Sequence, residues 1–68
     1  MEGKRKRLDK AKENNEYIKI LFTYPNSKSV KVRRGYVKET YNDSFEFNEN
    51  FDGLVNYEYK YITEILKA

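Results

Sequence analysis

Sixty-eight residues without Cys or His set narrow limits: one domain, no disulfide, no thiolate nucleophile, and no imidazole for metal binding or acid–base chemistry. A chain this short buries only about 60% of its unfolded surface, so its seven Tyr and four Phe must supply most of the core, with self-association as the remaining aid to stability. The net charge of +3 is uneven: residues 1–12 carry +4, residues 28–38 carry +5 with no acid, and residues 39–64 carry −6, a polarity suited to a polyanion or to the acidic face of a neighbouring subunit.

Residues 4–14, KRKRLDKAKEN, are good helix formers free of Pro and Gly. Only Leu8 and Ala11 are apolar, one turn apart, so residues 1–15 read as a short basic helix docking through those two side chains, or as a frayed basic arm. Asn14 and Asn15 suit its end. No apolar run approaches the roughly 18 residues of a membrane span, and none follows the basic start as a secretory leader requires. A cytoplasmic protein without membrane contact is the expectation.

Residues 16–68 read as strands. In Tyr17–Tyr24, Ile18, Ile20, Phe22 and Tyr24 share one face, and Tyr17, Lys19, Leu21 and Thr23 the other. Pro25-Asn26-Ser27 is a turn. The organising stretch follows, VKVRRGYVKETYNDSFEF over 30–47. Val30 and Val32 alternate with Lys31 and Arg33, yet the next core candidate, Val37, lies an odd number of residues on. A bend or bulge at Gly35 is expected to absorb the slip and present Arg33 and Arg34 together. Asn42-Asp43-Ser44 turns the chain into a strand with Phe45 and Phe47 inward. Asn50-Phe51-Asp52-Gly53 is a hairpin connection, and Val55, Tyr57 and Tyr59 alternate in the returning strand. A turn at Lys60–Ile62 precedes a last strand, Thr63–Leu66. The class is all-β, a five-stranded meander able to close as a small barrel.

The order of basic helix, five strands, glycine bend and sharp turn before the last strand resembles the Sm-like, Hfq-like small barrels. Gly35-Tyr36-Val37-Lys38-Glu39-Thr40-Tyr41 followed by Phe45, and Val55, Tyr57, Tyr59 and Ile62, are similar to segments of the Veg family of small bacterial proteins. The resemblance implies an Sm/SH3-like barrel with a regulatory, nucleic-acid-linked role rather than catalysis. Tyr57-Glu58-Tyr59 stands where the Hfq-like proteins carry Tyr-Lys-His, so no binding residues carry over from them.

The first candidate function is nucleic-acid binding, RNA in preference to DNA. It needs clustered cations for phosphate and exposed aromatic rings for bases. Lys4, Arg5, Lys6 and Arg7 offer a basic arm, Lys31, Arg33, Arg34 and Lys38 a basic strand, and Tyr36 and Tyr61 lie outside the inward sets. The alternative is a protein-interaction adaptor or homo-oligomer, acting through an open strand edge with Leu21, Tyr36 and Phe51 as its apolar patch. An enzyme is not expected: there is no Gly-rich phosphate loop, and the carboxylates Glu46 and Glu58 across a hairpin have no cleft. Asp43, Glu46, Glu49 and Asp52 scatter on a strand and hairpin and match no Ca²⁺ loop. No metal or cofactor is expected.

Overall fold

Helix α1, Glu2–Glu13, opens the chain in the computed structural model, which describes residues 2–68. It ends because Asn15 turns into the left-handed region (φ 52°), which asparagine tolerates better than most residues. The Glu16 N–H then reaches the Ala11 carbonyl at 2.9 Å, and the Asn15 N–H reaches the Lys12 carbonyl at 3.2 Å. This paired closure satisfies carbonyls the helix leaves open. Leu8 and Ala11 are both completely buried, so the two-residue stripe is enough to dock the helix. Its polar residues add ties. Lys4 Nζ donates to the Tyr59 carbonyl at 3.1 Å, Arg5 donates to Asn42 Oδ1 at 3.2 Å, and Asp9 accepts from the Thr40 hydroxyl.

Five strands follow: β1 Ile18–Phe22, β2 Lys31–Thr40, β3 Ser44–Glu49, β4 Gly53–Glu58 and β5 Ile62–Lys67, with a 3₁₀ turn at Tyr59–Tyr61 before β5. They form one antiparallel sheet in the order β4-β3-β2-β1-β5. The domain is mainly β with a single helix on it. The 3₁₀ turn falls one residue earlier than the expected Lys60–Ile62, because Ile62 is needed as a core residue of β5, where it is 1% exposed.

The long second strand behaves differently from the sequence expectation. Its register is continuous through Gly35, which pairs with Ile18 on one side and Glu49 on the other. The extra residue is Lys38, between Val37 opposite Phe47 and Glu39 opposite Glu46. A second slip leaves Thr63 unpaired between Glu64 opposite Leu21 and Ile62 opposite Phe22. With no slip at Gly35, parity runs unbroken back from buried Val37. Lys31 and Arg33 therefore take the inner side, and Val32 and Val30 face outward, Val30 56% exposed. Gly35 has another duty: a Cβ there would lie 2.0 Å from the Asn48 carbonyl oxygen. The strand changes partners at this residue, from β1 to β3, and only a residue without a side chain allows so close a crossing.

The core consists of Ile18, Ile20, Phe22, Val37, Phe45, Phe47, Tyr57, Tyr59 and Ile62 beneath Leu8 and Ala11. Phe45 stacks on Tyr59 at 5.7 Å between centroids, and the Tyr59 hydroxyl donates to the Tyr41 carbonyl at 2.7 Å. That bond lets a phenol be buried without an orphaned polar atom. Tyr24, expected inward, lies beyond the end of β1 and is 40% exposed, its ring set edge-on to Phe22 and Tyr61.

Candidate nucleic-acid interface

The period of two that buries Ile18, Ile20 and Phe22 turns Lys19 and Leu21 outward, with Tyr17 just before them. Across the ladder Lys19 faces Arg34 and Leu21 faces Val32. One pair further on, the rings of Tyr17 and Tyr36 lie 5.4 Å apart, tilted by 49°. Both rings are more than a third exposed. Lys38 is exposed at the bulge beyond them. The outer face of β1 and β2 thus carries a tyrosine pair, then a Lys–Arg pair, then a Leu–Val pair; the acid of β2, Glu39, lies beyond the Lys38 bulge, opposite Glu46 and paired with Lys12. On the adjoining strands this face carries Glu64, opposite Leu21, and Glu46, opposite Glu39.

Two hollows flank the tyrosine pair. One, about 540 Å³, lies against the end of α1 and is lined by Arg7, Lys10, Asn14, Glu16, Tyr17 and Lys67. In it Arg7 pairs with Glu16 at 3.1 Å. Burial works to raise the Glu16 carboxyl, but hydrogen bonds from Arg7 and Asn14 outweigh it and hold the group below the usual carboxylate range. The other hollow, about 320 Å³, lies at the β3–β4 turn and is lined by Val32, Arg33, Arg34, Glu49, Asn50 and Phe51. Asn50 links it to the tyrosines: its side-chain amide donates to the Tyr17 hydroxyl at 2.5 Å, and its backbone N–H donates to the Arg34 carbonyl at 3.2 Å.

No family model, curated protein or solved structure matches this chain.

The structure disperses the residues singled out from sequence. Arg33 and Arg34 take opposite faces, because no bulge interrupts Gly35. Arg33 sits 5.8 Å over the Phe22 ring with Nε 3.6 Å from a Glu49 carboxylate oxygen, while Arg34 is exposed. Lys31 is half-buried on Arg33's side. Lys4, Arg5 and Arg7 hold the helix and its exit to the rest of the domain and are not a mobile arm; Lys6 is exposed. Tyr36 and Tyr61 are not neighbours. Tyr61 packs against Tyr24 at 5.4 Å, beyond the far end of β1 from Tyr17, with Lys60 Nζ 5.2 Å over its ring. Of the apolar trio, Leu21 and Tyr36 share the outer face, whereas Phe51 stands at the β3–β4 turn, 99% exposed. Tyr17 and Lys19 were missed as site residues. Their signal was the period of two in Tyr17–Thr23, which already placed both on the side away from the core.

Proposed function

We infer that this is a non-enzymatic, cytoplasmic protein that binds single-stranded nucleic acid across the outer face of β1 and β2. The reading rests on one observation: an exposed tyrosine pair borders a cross-strand Lys–Arg pair, and the acid of those two strands, Glu39, lies beyond the Lys38 bulge where Lys12 neutralises it. Bases stack on aromatic faces whatever their identity, and phosphates require cations close by. Tyr17 and Tyr36 are assigned to stacking, and Lys19, Arg34 and Lys38 to phosphate. The preference for RNA over DNA comes from the Sm-like and Veg-like resemblance alone. That resemblance carries the finer description too, a five-stranded Sm/SH3-like barrel. The order helix, five strands and 3₁₀ turn before β5 supports it, as does the exchange of partners at Gly35. Fluorescence anisotropy with labelled eight-nucleotide RNA and DNA at low salt tests the reading. Expected are binding that weakens as salt rises and a loss of at least fivefold in Tyr36→Ala, since stacking contributes about 1–3 kcal/mol per base. Absent binding, or binding insensitive to salt, refutes it.

A second reading has its own observation. Leu21 and Val32 make an apolar pair on the same face, exposed Leu66 lies across from Lys19 on the neighbouring strand, and β4 and β5 are edge strands. On this reading the domain is an adaptor or homo-oligomer. Light scattering on wild type and Leu21→Glu checks it: a monomeric mass in both rejects the oligomer.

A further inference from the structure

Glu49 ends β3 on the inner side of the sheet, and its side chain is only 3% exposed. One carboxylate oxygen faces Arg33 Nε at 3.6 Å; the other, Oε1, is buried with no hydrogen-bond partner. A buried acceptor left unmatched is costly, and native structures seldom keep one without a use. Glu49 lines the hollow at the β3–β4 turn together with Arg33, Arg34, a second carboxylate, Asp52, and Phe51, which is 99% exposed and supplies an aromatic ring.

We propose that this hollow is a base-reading pocket for guanine, with the Glu49 carboxylate accepting from the guanine Watson–Crick edge, Phe51 closing over the base and Arg34 on the adjoining phosphate. The chemistry selects the base. A carboxylate offers acceptors side by side, and guanine alone among the four common bases presents two adjacent donors, N1–H and the N2 amino group. Adenine and cytosine present one donor beside an acceptor, and uracil one donor between two acceptors. The charges lining the hollow balance, two arginines against Glu49 and Asp52; what favours a guest that brings phosphate over a partner's arginine is the adjoining tyrosine and Lys19–Arg34 face. Oε1 is covered as the domain stands, so the Asn50–Asp52 turn swings outward as the base inserts. Burial raises the proton affinity of Glu49, Arg33 opposes it, and the neighbouring Asp52 carboxyl raises it further.

The pocket rests on the single-strand reading above, because Asn50 and Arg34 join it to the tyrosine face; the test separates the two. Labelled uridine-rich RNA eight-mers carrying two guanines, two adenines or two inosines at matched positions are titrated by anisotropy. Guanine is expected to bind about tenfold tighter than adenine, with inosine between them because it lacks the N2 amino donor. In Glu49→Gln the guanine-to-adenine ratio is expected to fall to near one, since an amide replaces an acceptor with a donor. Phe51→Ala, at a fully exposed turn position that cannot disturb the core, is expected to weaken the guanine oligomer more than the adenine one. Equal affinity for guanine and adenine in the wild type overturns the pocket and leaves the tyrosine face standing. Guanine preference that survives Glu49→Gln overturns it as well. Failure of every oligomer to bind overturns both readings. An arginine-rich peptide that binds instead, and is lost in Glu49→Gln, assigns the carboxylate to a protein partner and overturns the pocket.

Discussion

Replacing Gly35 with alanine tests the fold at its tightest point. The added Cβ would sit 2.0 Å from the Asn48 carbonyl oxygen, 2.9 Å from its carbonyl carbon and 3.1 Å from Glu49 Cα. All three are backbone atoms, so no side chain can rotate away. Reaching ordinary contact at 3.4 Å requires β3 and β2 to part by about 1.4 Å at the one β2 residue that is paired on both sides. Overpacking of this kind costs about 1–3 kcal/mol. Losing the hydrogen bonds of the Gly35–Glu49 pair adds about 1 kcal/mol for each bond. Alanine's smaller unfolded-state entropy offsets only about 0.4–1 kcal/mol. The net loss is about 2–4 kcal/mol, against a total stability of roughly 3–10 kcal/mol for a domain of this length. Urea unfolding followed by circular dichroism measures it. Gly53→Ala is the control: that glycine has φ +72° but open space around its Cβ position, so only about 1 kcal/mol of backbone strain is expected. A Gly35→Ala protein within 1 kcal/mol of wild type, with an unchanged denaturant slope, would refute the close-crossing account.

Leu8→Ala should cost about 2–4 kcal/mol, because the side chain is completely buried and α1 has only Ala11 beside it as an apolar anchor; a loss below 1 kcal/mol in the same urea assay would mean that the helix does not pack on the sheet. Glu49→Gln should stabilise the domain at pH 7 by about 1 kcal/mol, since it removes a buried charge with one unmatched oxygen. The sign follows from the raised affinity of Glu49 for its proton: its contribution is fully present below the unfolded glutamate range and is lost as pH rises through the higher folded value. The advantage of the glutamine variant should therefore shrink as pH falls towards the protonated range, and an advantage that is constant with pH would contradict it. Glu16 and Glu39 have the opposite sign. Burial opposes the lowering at Glu16, where bonds from Arg7 and Asn14 prevail, and the Lys12 bond leads at Glu39. Their contributions are present at neutral pH and fade as acid protonates them, so Glu39→Gln should flatten the acid side of the stability profile.

The elements were legible because their signals are local. Period-two alternation gave β1, β3 and β4, the Asp52-Gly53 pair gave the hairpin, and two apolar residues one turn apart gave the docking face of α1. What failed was parity along β2. Two valines before Gly35 and one after it demand opposite phases, and sequence alone cannot say which phase wins. Position 37 wins because it faces Phe47 and the aromatic core, while Val30 and Val32 lie towards the open end of the strand. The slip is then taken up at Lys38, a residue with no conformational signature, rather than at the glycine. The candidate site depended on that phase. Once Val37 faces inward, Arg33 goes with it towards Glu49, and Arg34 and Tyr36 become the outward pair. The pairing of Tyr36 with Tyr17 is a contact between strands that no single segment announces.

The same redistribution of charge yields a quantity that separates the structural reading from the one suggested by the basic blocks. Eight cations stand out in sequence: Lys4, Arg5, Lys6, Arg7, Lys31, Arg33, Arg34 and Lys38. If all eight met phosphate, the logarithm of affinity for a single strand would fall with the logarithm of salt at a slope of roughly −6, taking about −0.7 per neutralised phosphate. In the fold, Lys4, Arg5 and Arg7 are spent on holding α1, and Arg33 on Glu49 and Phe22. Lys19, Arg34 and Lys38 remain on the tyrosine face, which predicts a slope of roughly −2. Measuring affinity between 50 and 300 mM salt, on the order of the range in which counterion release is resolved, distinguishes the two. A slope near −2 that flattens by about 0.7 in Arg34→Gln fits a strand lying across β1 and β2. A slope near −6 would require the helix to leave the sheet and free its cations, and Leu8→Ala would then bind more tightly than the wild type rather than less.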